Sequence, residues 1–180
     1  MTPPKVLTAA ISLAAVTAAC AANTPHPAAN DEQQCRAVSF APPFDAMDPC
    51  SAEAVLTAAV STVFGYRPSE HTDARVAFRA ARALMDPEFA DRAESASLVW
   101  APVSPTQWQQ WHTAATPITA SARVSSDDHP ADTATAASRV LGVELQPGDQ
   151  PPIRWAVYGL ATRTTAGAVW VLSGMEVLSQ

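Results

Sequence analysis

Three cysteines, four histidines, five tryptophans and a few strand-borne acids are the residues from which this 180-residue chain has to build any chemistry. Cys35 and Cys50 read as a disulfide pair once Cys20 is set aside. Their bridge would close a loop of about 16 residues and contribute roughly 3 kcal/mol by constraining the unfolded chain. Two free thiols are the alternative. Zinc is disfavoured, since no second Cys or His stands two to four residues from either. The histidines lie apart at 26, 71, 112 and 129, with no His-X-X-X-His pair. Asp127-Asp128-His129 comes nearest to a metal cluster, but two Asp and a His ahead of Pro130 are turn formers, so no metal site is expected. A Gly-X-Ser-X-Gly elbow, a phosphate loop and a dinucleotide fingerprint are all missing, and the chain has only six glycines. Asp132, Glu144 and Glu176 lie in or near expected strands. Glu176 shares strand parity with Trp170 and Leu172, so Glu176 and Asp132 are the candidates for pocket acids. With no nucleophile beside a base and no paired acids, no catalytic residue is assigned and neither an enzyme nor a cofactor is expected. Trp108 and Trp111 stand one helical turn apart among Gln107, Gln109 and Gln110, which makes them a candidate partner surface.

Cys20 belongs to a different pattern. Lys5 precedes an uncharged, largely apolar run from Val6 to Ala19, and Thr17-Ala18-Ala19 brings small residues up to the cysteine. That is the layout of a signal peptide over residues 1–19. Fourteen residues rise only about 21 Å as a helix, too little for ~30 Å of hydrocarbon. Small residues immediately before a Cys match the bacterial lipobox, in which that thiol receives diacylglycerol and becomes the new N-terminus. Thr17 stands where a branched apolar residue is usual. Ordinary cleavage after Ala19-Cys20-Ala21 is the alternative and would release a secreted protein. The expectation is a lipid-anchored protein on the outer face of the cell membrane. Ala21 to Gln34, with His26, lacks periodicity and large apolar residues and reads as a flexible tether.

Charge narrows the partners. The only Lys is in the leader, so the mature chain sets ten Arg against seventeen acids, about −7. No basic stripe interleaves with aromatics, which argues against nucleic acid. A hydrophobic fraction of 48% is ample for one core, and residues 35–180 read as a single domain.

The elements that must position these residues are helices first and strands afterwards. Asp48-Pro49 offers a cap and a first helical residue. Val55, Leu56, Ala59, Val60, Val63 and Phe64 then recur on one helical face up to Gly65. A second helix is predicted from Thr72 or Asp73 to Met85, burying Val76, Ala80 and Leu84, with Arg75, Arg79 and Arg82 as a solvated flank. Asp86-Pro87 and Ser104-Pro105 repeat the start signal. Ile118, Ala120, Ala122 and Val124 alternate with polar residues as a half-buried strand. Thr135 to Leu145 is a second strand with Ala137, Arg139, Leu141, Val143 and Leu145 on one face. Two more strands follow, from Ile153 and over Ala168 to Leu178. The order predicts an α+β fold, N-terminal helices packed on a curved four-stranded antiparallel sheet.

That order resembles the cone-shaped nuclear transport factor 2-like fold. The resemblance covers about Cys50 to Gln180 and rests on Phe64-Gly65-Tyr66-Arg67-Pro68, the run Arg79 to Met85, and the Trp-containing segment before the sheet. Within that fold the chain is similar to actinobacterial envelope proteins: conjugation or type IV secretion subunits and mammalian-cell-entry-associated proteins. The resemblance implies a non-enzymatic accessory or assembly subunit with an envelope protein as partner. Those families are usually held by a membrane-spanning N-terminal helix, whose place the leader and Cys20 take here, so the expected subunit is a lipoprotein. A small apolar-ligand-binding module using the cone pocket, or less favourably an enzyme, is the alternative.

Overall fold

A computed structural model describes Cys35, residues 37–126 and residues 129–178. The expected signal peptide, Cys20 and the expected tether lie outside the described residues. The Cys35–Cys50 disulfide is formed, with Cα atoms 5.7 Å apart. Its second half leads straight into the first helix. The cap of that helix is Ser51, whose Oγ accepts the Ala54 N–H at 3.1 Å, and α1 runs Ala52–Val63. Asp48, the expected cap, instead accepts the Cys50 N–H at 2.9 Å. That bond spans two residues, so the chain is still turning at Cys50 and the helix starts three residues later.

α1 buries Val55, Leu56, Ala59, Val60 and Val63, with Phe64 just beyond, as the 3.6-residue spacing requires. Gly65 ends it by close approach: a Cβ there would lie 3.2 Å from the Thr62 carbonyl oxygen. The expected second helix is divided. α2 spans Arg75–Ala80, and a 3-10 turn covers Arg82–Leu84. Its inward face is Ala74, Ala77, Phe78, Ala81 and Leu84, while Ala80 is exposed and Val76 only partly buried. Phe78 decides this rotation. It is fully buried and its ring lies 5.6 Å from that of Trp100, a larger apolar contact than Val76 offers.

α3 (Pro87–Ala93) and α4 (Pro105–Thr113) begin at the two predicted caps. Asp86 Oδ1 accepts the Phe89 N–H at 3.0 Å, and Ser104 Oγ accepts the Gln107 N–H at 3.1 Å. A second 3-10 turn, Ala96–Val99, joins them.

The sheet is an antiparallel meander in the order β1 (Ile118–Val124), β2 (Ala136–Pro147), β3 (Ile153–Thr162), β4 (Val171–Leu178). It does not close. α1 lies across one face and touches all four strands. Ala122, Leu141, Val143, Leu145, Trp155, Val157 and Ala161 point into that layer and are buried. At Gly159 a Cβ would stand 3.1 Å from Leu141 Cδ1 and 3.2 Å from Leu56 Cδ2, so the missing side chain lets helix and sheet approach. The fold is therefore α+β, its interior filled by side chains from both layers. Trp170 ties the disulfide segment to it, donating Nε1–H to the Cys50 carbonyl at 3.1 Å.

Candidate binding surface

The two tryptophans predicted to share a surface have different environments. Trp111 is 1% exposed and donates its indole N–H to Gln150 Oε1, 3.2 Å away in the β2–β3 loop. It belongs to the core, and the expectation of a surface residue is corrected. The glutamines around it suggested exposure, but one of its polar partners comes from 39 residues away. Trp108 is partly buried, with its ring 5.4 Å from that of Tyr66, and keeps one side open to a groove.

Both candidate acids are exposed; Glu176 stands at the edge of a cavity at the ends of β3 and β4, and Asp132 is engaged elsewhere. Asp132 is exposed and grips Arg139 with both oxygens, at 2.6 Å to Nη1 and 2.7 Å to Nη2. The Arg139 hydrogen bond holds its carboxyl below the usual carboxylate range. Arg139 does point inward, as the strand alternation requires, and its side chain is only 8% exposed. Glu53 at the start of α1 completes its pairing at 2.9 Å from Nε. Asp132 is thus the structural partner of a buried cation, tying the β1–β2 loop to the sheet, while Glu53 ties α1 to the same arginine. Glu176 is displaced by a β-bulge. Leu172 pairs with Ala161, but past the irregularity Gly174 pairs with Leu160 and Glu176 with Tyr158. One extra residue reverses the parity, so Glu176 joins the outer-face residue Tyr158 and is exposed.

The arginine flank is ion-paired: Arg79 and Arg82 share Glu94, at 2.6 Å and 3.0 Å, and Arg82 also meets Asp91. Among the described residues no group of three or more His, Cys, Asp and Glu side chains is arranged to hold a metal ion. Asp127 and Asp128 lie outside them. His129 Nδ1 sits 2.9 Å from the Pro130 carbonyl oxygen, and His112 Nδ1 sits 2.7 Å from that of Pro68.

His71 was not singled out by the sequence, yet it is buried, at 6% exposure, and its Nδ1 accepts the Arg67 N–H at 3.2 Å. Burial, and then the Arg67 charge, push its pKa below the ordinary 6.5. The unfolded chain therefore binds this proton more readily than the native one. Stability from His71 is complete above about pH 6.5 and falls as pH drops towards the folded-state value. Urea midpoints are expected to decline between pH 7.5 and 5.5 in the wild type. His71→Asn, which keeps an acceptor that does not titrate, flattens that decline; an equal decline in both removes His71 as its cause.

What the described surface does offer is apolar. Leu98 and Val99, at the end of the second 3-10 turn, are 47% and 80% exposed. On one side of them a groove of about 660 Å³ runs past Pro102 and Val103 to Trp108. On the other a cavity of about 720 Å³ is lined by Trp100, Ile153, Trp155, Met175 and Val177. No known protein family, curated protein or solved structure matches this chain. Its chemistry has to be read from these residues. Contiguous exposed apolar side chains flanked by concave surface are the common marks of a binding region. The sequence missed Leu98 and Val99 because two adjacent apolar residues in a short segment read equally well as core.

Proposed function

We propose that this protein is an exported, lipid-anchored envelope subunit that works by contact, as an accessory or assembly component of a secretion, conjugation or import machine. The leader pattern ending at Cys20 supports export and tethering to the membrane. The observation that carries the contact reading is the pair Leu98 and Val99, exposed between two apolar concavities while the interior is filled. The partner is an envelope protein presenting an apolar segment, and the resemblance to cone-fold secretion subunits is consistent with that. A photo-crosslinking residue at Val99 is expected to capture one discrete envelope protein in cells, and the same residue at Arg123, exposed on the outer sheet face, none. Equal capture at both positions, or none at either, would overturn the contact reading. In the same fractionation Cys20→Ser releases the protein from the membrane. Unchanged partitioning would exclude the lipid anchor.

A second reading, a module for a small apolar ligand, is favoured by one specific feature. The cavity beside Val99 is walled in part by Trp155, whose indole N–H has no hydrogen-bond partner among the described residues.

A further inference from the structure

Trp155 is 4% exposed, and its indole N–H is buried with no hydrogen-bond partner among the described residues. The other two buried indoles in this fold are satisfied: Trp111 by Gln150 at 3.2 Å and Trp170 by the Cys50 carbonyl at 3.1 Å. More than nine in ten buried polar groups have a partner, so an unmatched donor on a residue that lines a cavity asks for an acceptor from outside the described residues. The Phe64 ring, edge-to-face at 5.0 Å, provides packing but no oxygen or nitrogen acceptor.

We propose that the cavity between residues 99–102 and the ends of β3 and β4 binds a neutral, elongated apolar molecule whose single acceptor, a ketone, ester or amide carbonyl, takes the Trp155 indole N–H. This rests on the second reading above and names the chemistry it requires. A volume of about 720 Å³ lies within the range of small-molecule sites, roughly 300–1,000 Å³. Trp100, Ile153, Met175 and Val177 give the apolar lining. Charge selects a neutral ligand. Arg154 at the rim is held by Glu144 at 2.6 Å, Glu176 adds a negative charge, and the chain as a whole is acidic. An indole donor in turn repels a cation. The N–H is out of reach of solvent, so the acceptor arrives only with a molecule that parts the lining. Trp100, Ile153, Met175 and Val177 are partly buried walls, and of these Met175 has the unbranched flexibility to yield.

Matched probes test this on the full chain: 2-undecanone, with one carbonyl, and undecane, with none. In nitrogen-15 spectra of the tryptophan indoles the ketone is expected to bind saturably and move the Trp155 N–H proton downfield. Undecane is expected to bind without that displacement. Trp155→Phe weakens ketone binding about five- to tenfold, the effect of one neutral hydrogen bond, and leaves undecane binding unchanged. If neither probe binds, the ligand reading fails and this inference with it. If both bind equally and the Trp155 proton stays in place, the cavity is an apolar site and the carbonyl pairing is overturned. The wild-type titration decides alone should Trp155→Phe not fold.

Discussion

Replacing Trp111 by alanine is expected to lower the unfolding free energy by about 3–5 kcal/mol, while Trp108→Ala loses less than half as much. The two indoles are three residues apart on one helix and would be equivalent on any local argument. Trp111, however, is 1% exposed, and its truncation opens a cavity the size of an indole and takes away the donor that Gln150 accepts. Trp108 rests on Tyr66 at 5.4 Å and loses packing on one side only. Urea unfolding followed by circular dichroism measures both. Similar small losses for the two would mean that α4 does not dock as described. The contact reading also needs the contrast, because Trp108 borders the groove beside Leu98 and Val99 whereas Trp111 is unavailable to any partner.

The second large effect belongs to the disulfide. Cys35→Ser with Cys50→Ser is expected to cost roughly 3 kcal/mol, the loop-closure entropy of a span of 15 residues. For a domain of this length that lowers the melting temperature by roughly 6–12 °C. The loss should come mainly through the unfolded state, which regains the freedom of the closed loop. The native anchor at the same place survives, since the Trp170 indole bonds to the backbone carbonyl of Cys50 and not to its side chain. Reducing agent added to the wild type should reproduce the effect, and should change nothing in the double variant. A variant as stable as the wild type would show that the bridge constrains little. Intact mass under non-reducing conditions checks that the bond is present before the comparison is made.

Several features were legible from short stretches of sequence because nearest neighbours decide them. Strand β2 alternates so regularly that Ala137, Arg139, Leu141, Val143 and Leu145 are all buried as expected. Asp86-Pro87 and Ser104-Pro105 start α3 and α4, since a side-chain oxygen two or three residues ahead of a backbone N–H needs nothing from elsewhere in the chain. Helices before strands were enough for the α+β class. Cys35 and Cys50 were the natural pair once Cys20 was set aside as the expected lipid-bearing residue.

The site was decided by contacts that no local pattern contains. Arg139 reads as an oddity in an apolar face until Glu53, 86 residues earlier, comes within 2.9 Å and Asp132 closes on it from the loop. One bulge against Leu160 and Ala161 sends Glu176 outward, although its sequence parity with Leu172 points the other way. Trp111 turns inward because Gln150 waits in a loop formed only when β2 and β3 pair. Trp155 shows the opposite result: it is buried on the inner face of β3, yet only the assembled fold leaves its N–H without an acceptor among the described residues, on a side chain that lines a cavity. Periodicity tells a side chain which face to take, because three or four neighbours set that angle. Which group it meets there is set by elements far apart in the chain, and so the candidate surface exists only once the segment around Leu98 and the ends of β3 and β4 have packed together.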